Sequence, residues 1–158
     1  CLSRGLGDVY KRQGVISTDM SLYIDLPLSK QIEHSFKNKA YAVFLQNNGI
    51  SVVPNVRWAD ERSFEFCFDG IQPNGIYAVS THGCVKSKDE QKMFKTGLKE
   101  MLKRLTPRCT VVHGSMPDYI FAEYKKIYKF VRFDSWIERQ HNQKGGDNEW
   151  EQLKLDVF

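Results

Sequence analysis

From Gly14 onward, short apolar runs alternate with longer stretches in which apolar side chains recur every three or four residues. Short unbroken runs read as buried strands, and the longer period reads as one face of a helix. Val15-Ile16-Ser17-Thr18 is the first run. Pro27 and Ser29 then open a helix in which Ile32, Phe36, Ala40, Val43 and Phe44 form one apolar face, and Gly49 ends it. Residues 50–56 read as a second buried strand, with Pro54 near its end, where a missing N–H costs least. Residues 60–68 read as a short helix closed by Asp69-Gly70, and Pro73-Asn74-Gly75 turns the chain into a third strand at residues 76–81.

Ser87-Lys88-Asp89-Glu90 has the form of a capping box, in which Ser caps a backbone N–H and Glu reaches back to the cap. The helix it opens buries Phe94, Leu98, Met101, Leu102 and Leu105 and stops before Pro107. Cys109–His113 is the fourth strand. Ser115 is placed to cap a further helix with Pro117 in its first turn and Ile120, Phe121 and Tyr124 facing inward, and residues 128–133 form the fifth strand. Residues 140–148 are polar and carry Gly145-Gly146, so they read as a flexible linker, after which Trp150, Leu153, Leu155 and Val157 are apolar positions able to dock on the body.

Strands alternating with helices imply an α/β domain with a mostly parallel sheet of about five strands, because parallel neighbours need a long crossover. An open doubly wound sheet and a partial α/β barrel both fit the pattern. The domain is expected at residues 14–135, with a polar C-terminal tail at residues 136–158.

Residues 1–13 stand apart, with no hydrophobic period, cap or turn logic. Asp8–Gln13 matches what the transposon end of common sequencing adapters encodes in one frame, and residues 3–7 fit the same adapter upstream. This segment is therefore expected to be foreign to the fold, with a natural N-terminal segment missing before it. It carries two of the four net positive charges, so the rest of the chain is nearly neutral at +2. Such a balance does not support a nucleic-acid partner, which needs clustered Lys and Arg. The odd count of cysteines beyond Cys1 (Cys67, Cys84 and Cys109) and the absence of C-x-x-C point to the reduced cytoplasm rather than a disulfide scaffold. No window approaches the ~18 uninterrupted apolar residues of a membrane span, so no membrane partner is expected.

In parallel α/β folds, sites form at the C-terminal ends of the strands. Asp19 follows the first run; Asn55, Arg57 and Trp58 follow the second; Thr81, His82, Gly83 and Cys84 the third; His113, Gly114 and Ser115 the fourth; Asp134 the fifth. The His-Gly pair occurs twice, 31 residues apart, each time where a strand meets a helix. Histidine titrates near neutrality, so His82 and His113, with Asp19, are the catalytic candidates for acid–base work. Arg57 offers a fork for a carboxylate or phosphate, with Asp60 read as a helix cap. The loops at residues 81–87 and 113–115 lead into helix N-termini, where free N–H groups favour anions, and Lys86 would help. An anionic small molecule is thus the expected ligand, held by Asn55, Arg57, Trp58, Thr81, Gly83, Cys84, Gly114, Ser115 and Asp134. Cys84 beside His82 suits a thiol nucleophile by residue type alone. No metal is expected, since no H-x-H, H-E-x-x-H or paired-cysteine spacing is present, and no cofactor motif appears. Phe64, Phe66, Phe68 and Trp58 read as core rather than a base-stacking platform, because Glu65 and Asp69 rather than basic residues interleave with them.

Four runs in order carry a family resemblance: Ser17-Thr18-Asp19-Met20-Ser21-Leu22-Tyr23, residues 54–64 (PNVRWADERSF), Phe66-Cys67-Phe68-Asp69-Gly70 and Ser80-Thr81-His82-Gly83-Cys84. Together they resemble the family of domains of unknown function numbered 4417, found in bacteria, phages and plasmids. The resemblance spans roughly residues 14–134 and implies an acidic, aromatic segment upstream of the first strand. It brings no activity. Two functions follow from the residues: an enzyme acting on a phosphorylated, nucleotide or nucleic-acid-derived substrate, or a non-catalytic module of a phage or plasmid that binds nucleic acid or protein.

Overall fold

The computed structural model describes residues 14–85 and 87–133, and five strands lie among them. Strands β1 (Val15–Ile16) and β2 (Val52–Val53) pair in parallel. Strands β3 (Ile76–Ser80), β4 (Cys109–His113) and β5 (Phe130–Phe133) form a second parallel ladder, with Ser80 opposite His113 and His113 opposite Phe133. A parallel bridge between Asn55 and Ala78 joins the two ladders: Val56 N donates to Ala78 O and Ala78 N to Pro54 O, both at 2.8 Å.

The strands therefore succeed one another in chain order across the molecule. A doubly wound sheet reverses its order at a switch point. Among the described strands no reversal occurs, so of the two architectures that the pattern allowed, their order is that of a partial barrel. The observed strands are shorter than the apolar runs. At Pro54, which has no N–H to donate, β2 gives way to the single bridge at Asn55.

Helix α1 (Leu28–Asn47) crosses from β1 to β2, and helix α2 (Lys88–Leu105) from β3 to β4. Residues 60–68, expected as a short helix, form a 3-10 turn at Glu61–Glu65, with Asp60 as its cap accepting from Arg62 N. Both halves of the Ser87/Glu90 capping box are made, and Phe94, Leu98, Met101, Leu102 and Leu105 are all buried as their spacing predicts. They share a core with Tyr77, Val79 and Val112 of the sheet and with Phe64 and Phe68. Ala78 and Val111, on the other face of the same strands, cluster with Val53. Helix α3 (Asp118–Phe121) starts after Pro117 with no side-chain cap, so Ser115 does not play the capping part expected of it. Its carbonyl instead accepts from Thr81 Oγ1 at 2.7 Å.

Helix α1 departs furthest from expectation. An amphipathic helix turns its apolar face to the core, yet Ile32, Phe36, Val43 and Phe44 are exposed, Phe36 to 68%. Gln31, Ser35, Asn38 and Ala42 are buried in their place. The physical reason is that two of these side chains bind the backbone beside them: Gln31 Nε2 donates to Leu26 O, and Asn38 holds the loop after β1.

Among the described residues, no helix is long and apolar enough to cross a membrane. The foreign-segment reading of residues 1–13, the tail readings at residues 136–158, Lys86 and Asp134 all lie outside the described residues.

Candidate functional site

The geometry at the strand ends starts with Asn38. Its Oδ1 accepts from Met20 N at 2.8 Å and from Thr18 Oγ1 at 3.2 Å, and its Nδ2 donates to Met20 O at 3.0 Å. One buried side chain thus fixes both neighbours of Asp19. Ser17 Oγ accepts from Asn55 N at 2.8 Å and ties the end of β1 to the end of β2. Asp19 and Arg57 are brought together from positions 38 residues apart, and Arg57 donates to both carboxylate oxygens, through Nε to Oδ1 and through Nη2 to Oδ2 at 2.6 Å. Paired forks of this kind are the stronger ion-pair geometry.

Arg57 is 12% exposed and Asp19 38%. The remaining nitrogen of Arg57, Nη1, lies 3.3 Å from Ser80 O and 3.4 Å from Cys84 Sγ. Burial acts to lower the guanidinium pKa; the Asp19 hydrogen bonds and charge, with Cys84 adding, outweigh it and raise the value. Arg57 is therefore committed to partners within the protein.

These groups line a cleft of about 720 Å3 that also takes in Trp58, His82, Gly83, Cys84 and His113. Seven of the residues that the sequence singled out meet there. His113 Nδ1 and Ser80 Oγ are 3.4 Å apart, and the same Ser80 oxygen accepts from His82 N at 3.3 Å, so Ser80 stands between the two histidines. Trp58 packs against Phe94 with ring centroids 5.3 Å apart, and it also lies over Gly97. A Cβ at Gly97 would fall 2.1 Å from Trp58 Nε1, so only glycine admits the indole. Tyr23, Ile24, Met93 and Phe94 line the cleft along with Trp58.

Other expected residues lie elsewhere. Asn55 lines a separate cavity beneath α1. Thr81 is buried, and its hydroxyl is used on His113 O and Ser115 O. Gly114 adopts φ +102, and a Cβ there would meet Thr81 Oγ1 at 2.9 Å, so its role is in the turn. Ser115 is exposed and lines no part of the cleft. At the start of α2, where an anion site was expected, Ser87 Oγ accepts from Glu90 N and Glu90 Oε2 from Ser87 N.

Three carboxylates (Asp19, Asp25 and Glu90) face one guanidinium among the described residues of the cleft. Among the described residues no three His, Cys, Asp or Glu side chains are grouped to hold a metal ion. Sequence reasoning missed Asn38, Ser80 and Gly97. Gly97 did leave a signal, because a glycine inside a strong helical run costs roughly 1 kcal/mol against alanine and so marks a close approach.

The profile described as domain of unknown function (DUF4417) matches residues 3–131. The chain is 33% identical over 110 residues to the Gene 1 protein of Mycobacterium phage L5, covering 69% of this chain and 48% of that protein. It is 34% identical over 101 residues to the Gene 1 protein of Mycobacterium phage D29, covering 64% and 37%. The chain thus spans half or less of the length of these relatives. No solved structure matches it.

Proposed function

The chain belongs to DUF4417, a family described only as a domain of unknown function, and from the chemistry of its cleft we propose an enzyme acting on a nucleoside or nucleotide. The observation that carries this reading is that the cleft is lined both by apolar side chains, Tyr23, Ile24, Trp58, Met93 and Phe94, and by two histidines. A planar base fits along Tyr23, Ile24 and Trp58, and the polar end of the ligand then meets His82, His113 and Ser80. His113 ends β4 opposite Ser80 and His82 follows β3 two residues on, and the two histidines are the general acid and base. The Arg57–Asp19 pair is a fixed dipole that orients the polar end, and the free cysteines agree with a reducing, cytoplasmic setting.

Thermal unfolding of the full chain against nucleosides and nucleotides tests the binding half. A ligand at about 100 times its Kd raises Tm by several degrees. Tyr23→Ala is expected to weaken that shift, and His82→Gln to abolish turnover while leaving the shift in place. Absence of any nucleoside or nucleotide shift overturns the reading. A protein-interaction module is the second reading, favoured by the exposed apolar stripe of α1. It gains if no small molecule shifts Tm and a phage or host protein binds in a manner that Phe36→Glu abolishes.

A further inference from the structure

Beneath α1 lies a second cavity, of about 280 Å3, bounded by the helix, the end of β2 and residues 70–77. Its charge is opposite to that of the cleft: Lys39 and Arg57 line it, and among the described residues no carboxylate does. Arg57 is engaged by Asp19, which leaves Lys39 as its available cation. Lys39 Nζ donates to Phe66 O at 2.6 Å, and an ammonium has two further protons to give. Burial pulls the Lys39 pKa below the ordinary lysine value against the opposing pull of Asp69 and Cys67, so the charge sits where an anion would be welcome.

Neutral donors surround it. The Ser35 hydroxyl is on a side chain only 6% exposed, lines the cavity, and has no hydrogen-bond partner among the described residues. Ser17 Oγ accepts from Asn55 N, which leaves its own proton free, and Asn55 lines the same wall. Polar residues on the buried side of α1 thus have a use that an apolar core would not give them.

We propose that this cavity binds a small oxyanion of the phosphate or carboxylate class, with Lys39 and Ser35 as its principal donors. At ~30 Å3 per water the cavity holds about nine waters. That is room for inorganic phosphate or a short carboxylate and too little for a nucleotide. The site is independent of the function assigned to the cleft.

Calorimetric titration of the full chain with inorganic phosphate, and separately with malonate, at ionic strength held constant with chloride, tests it. Saturable binding of one or both is expected, and the preferred anion names the class. Lys39→Met is expected to weaken binding ~tenfold or more, since it removes a charged donor, and Ser35→Ala less; His82→Ala leaves affinity unchanged. Heat no greater than that of chloride means water alone fills the cavity and overturns the proposal. Saturable binding that survives Lys39→Met overturns it too, because the anion then sits elsewhere. If Lys39→Met fails to fold, Ser35→Val puts methyl groups where the hydroxyl was, and unchanged phosphate affinity in that variant is equally fatal. None of these outcomes touches turnover by the histidines, so the two readings fail separately.

Discussion

The orientation of α1 can be tested by a pair of substitutions whose expected effects exchange if the helix is rotated. Phe36 is 68% exposed, and serine and phenylalanine have similar helix propensities. Phe36→Ser therefore costs within about 0.5 kcal/mol, as surface changes do. Were the apolar face turned inward, losing that ring would cost about 3–5 kcal/mol. Asn38 has the opposite expectation. It makes three hydrogen bonds to residues 18 and 20 from a buried position. At roughly 0.5–1.5 kcal/mol each, Asn38→Ala costs about 2–4 kcal/mol. For a chain of this size that is a fall in Tm of roughly 5–15 °C. Urea unfolding with m held constant measures both. A loss above about 2 kcal/mol in Phe36→Ser, or none in Asn38→Ala, refutes the inverted helix.

Gly97→Ala is expected to destabilise by about 1–3 kcal/mol, although alanine is the better helix former, because its Cβ displaces Trp58; urea unfolding reads it, and a neutral or stabilising result removes Trp58 from that groove. Burial pushes the Cys67 thiol up to about 12, against opposing pulls led by Lys39, while Cys84 is half-buried. Iodoacetamide at pH 8 should label Cys84 first and spare Cys67, with peptide mapping as the readout; the thiol contribution of Cys67 to stability is present below pH 9 and is lost as pH rises toward 12. Hydrogen bonds from Lys30 and then Lys37 hold the Glu33 carboxyl down at about 2, so its contribution is present above pH 4.5 and fades as pH falls toward 2. An NMR titration of the Glu33 side chain with a midpoint near 4.5 contradicts this.

Elements whose local and tertiary demands agree were legible. In α2 the capping box, the apolar period and the stop before Pro107 all describe one helix, and its five predicted core residues are buried. In α1 two stripes compete. Periodicity detects the apolar stripe, but Gln31, Ser35, Asn38 and Ala42 also recur at helical spacing, and contacts with the loop after β1 decide between them. Asp19 and Arg57 could each be picked out from a strand end. Their pairing could not, because it depends on β1 lying beside β2. Ser80 was invisible for a related reason: it becomes a partner of His113 only through the register of β3 on β4. The strand-end rule located the cleft and Trp58 in it, whereas Met93 and Phe94 came from α2, where no strand-end argument looks.

Arg57 lines both the cleft and the cavity beneath α1, so Asp19 decides which of them receives its charge. Asp19→Asn removes that control while keeping the shape of the side chain. An unpaired buried charge costs about 3–5 kcal/mol in full burial, and with Asp19 itself over a third exposed the expected loss is smaller, about 1–3 kcal/mol after solvent screening. The bared guanidinium should then accept an external anion, so phosphate should restore part of the lost Tm in Asp19→Asn. That restoration should persist in the Asp19→Asn, Lys39→Met double variant, because the rescuing anion sits on Arg57 rather than on Lys39. Unfolding at constant ionic strength separates the cases. If Asp19→Asn is as stable as the parent chain, Arg57 is held by Ser80 and Cys84 alone, and the ion pair has no part in shaping either the cleft or the cavity.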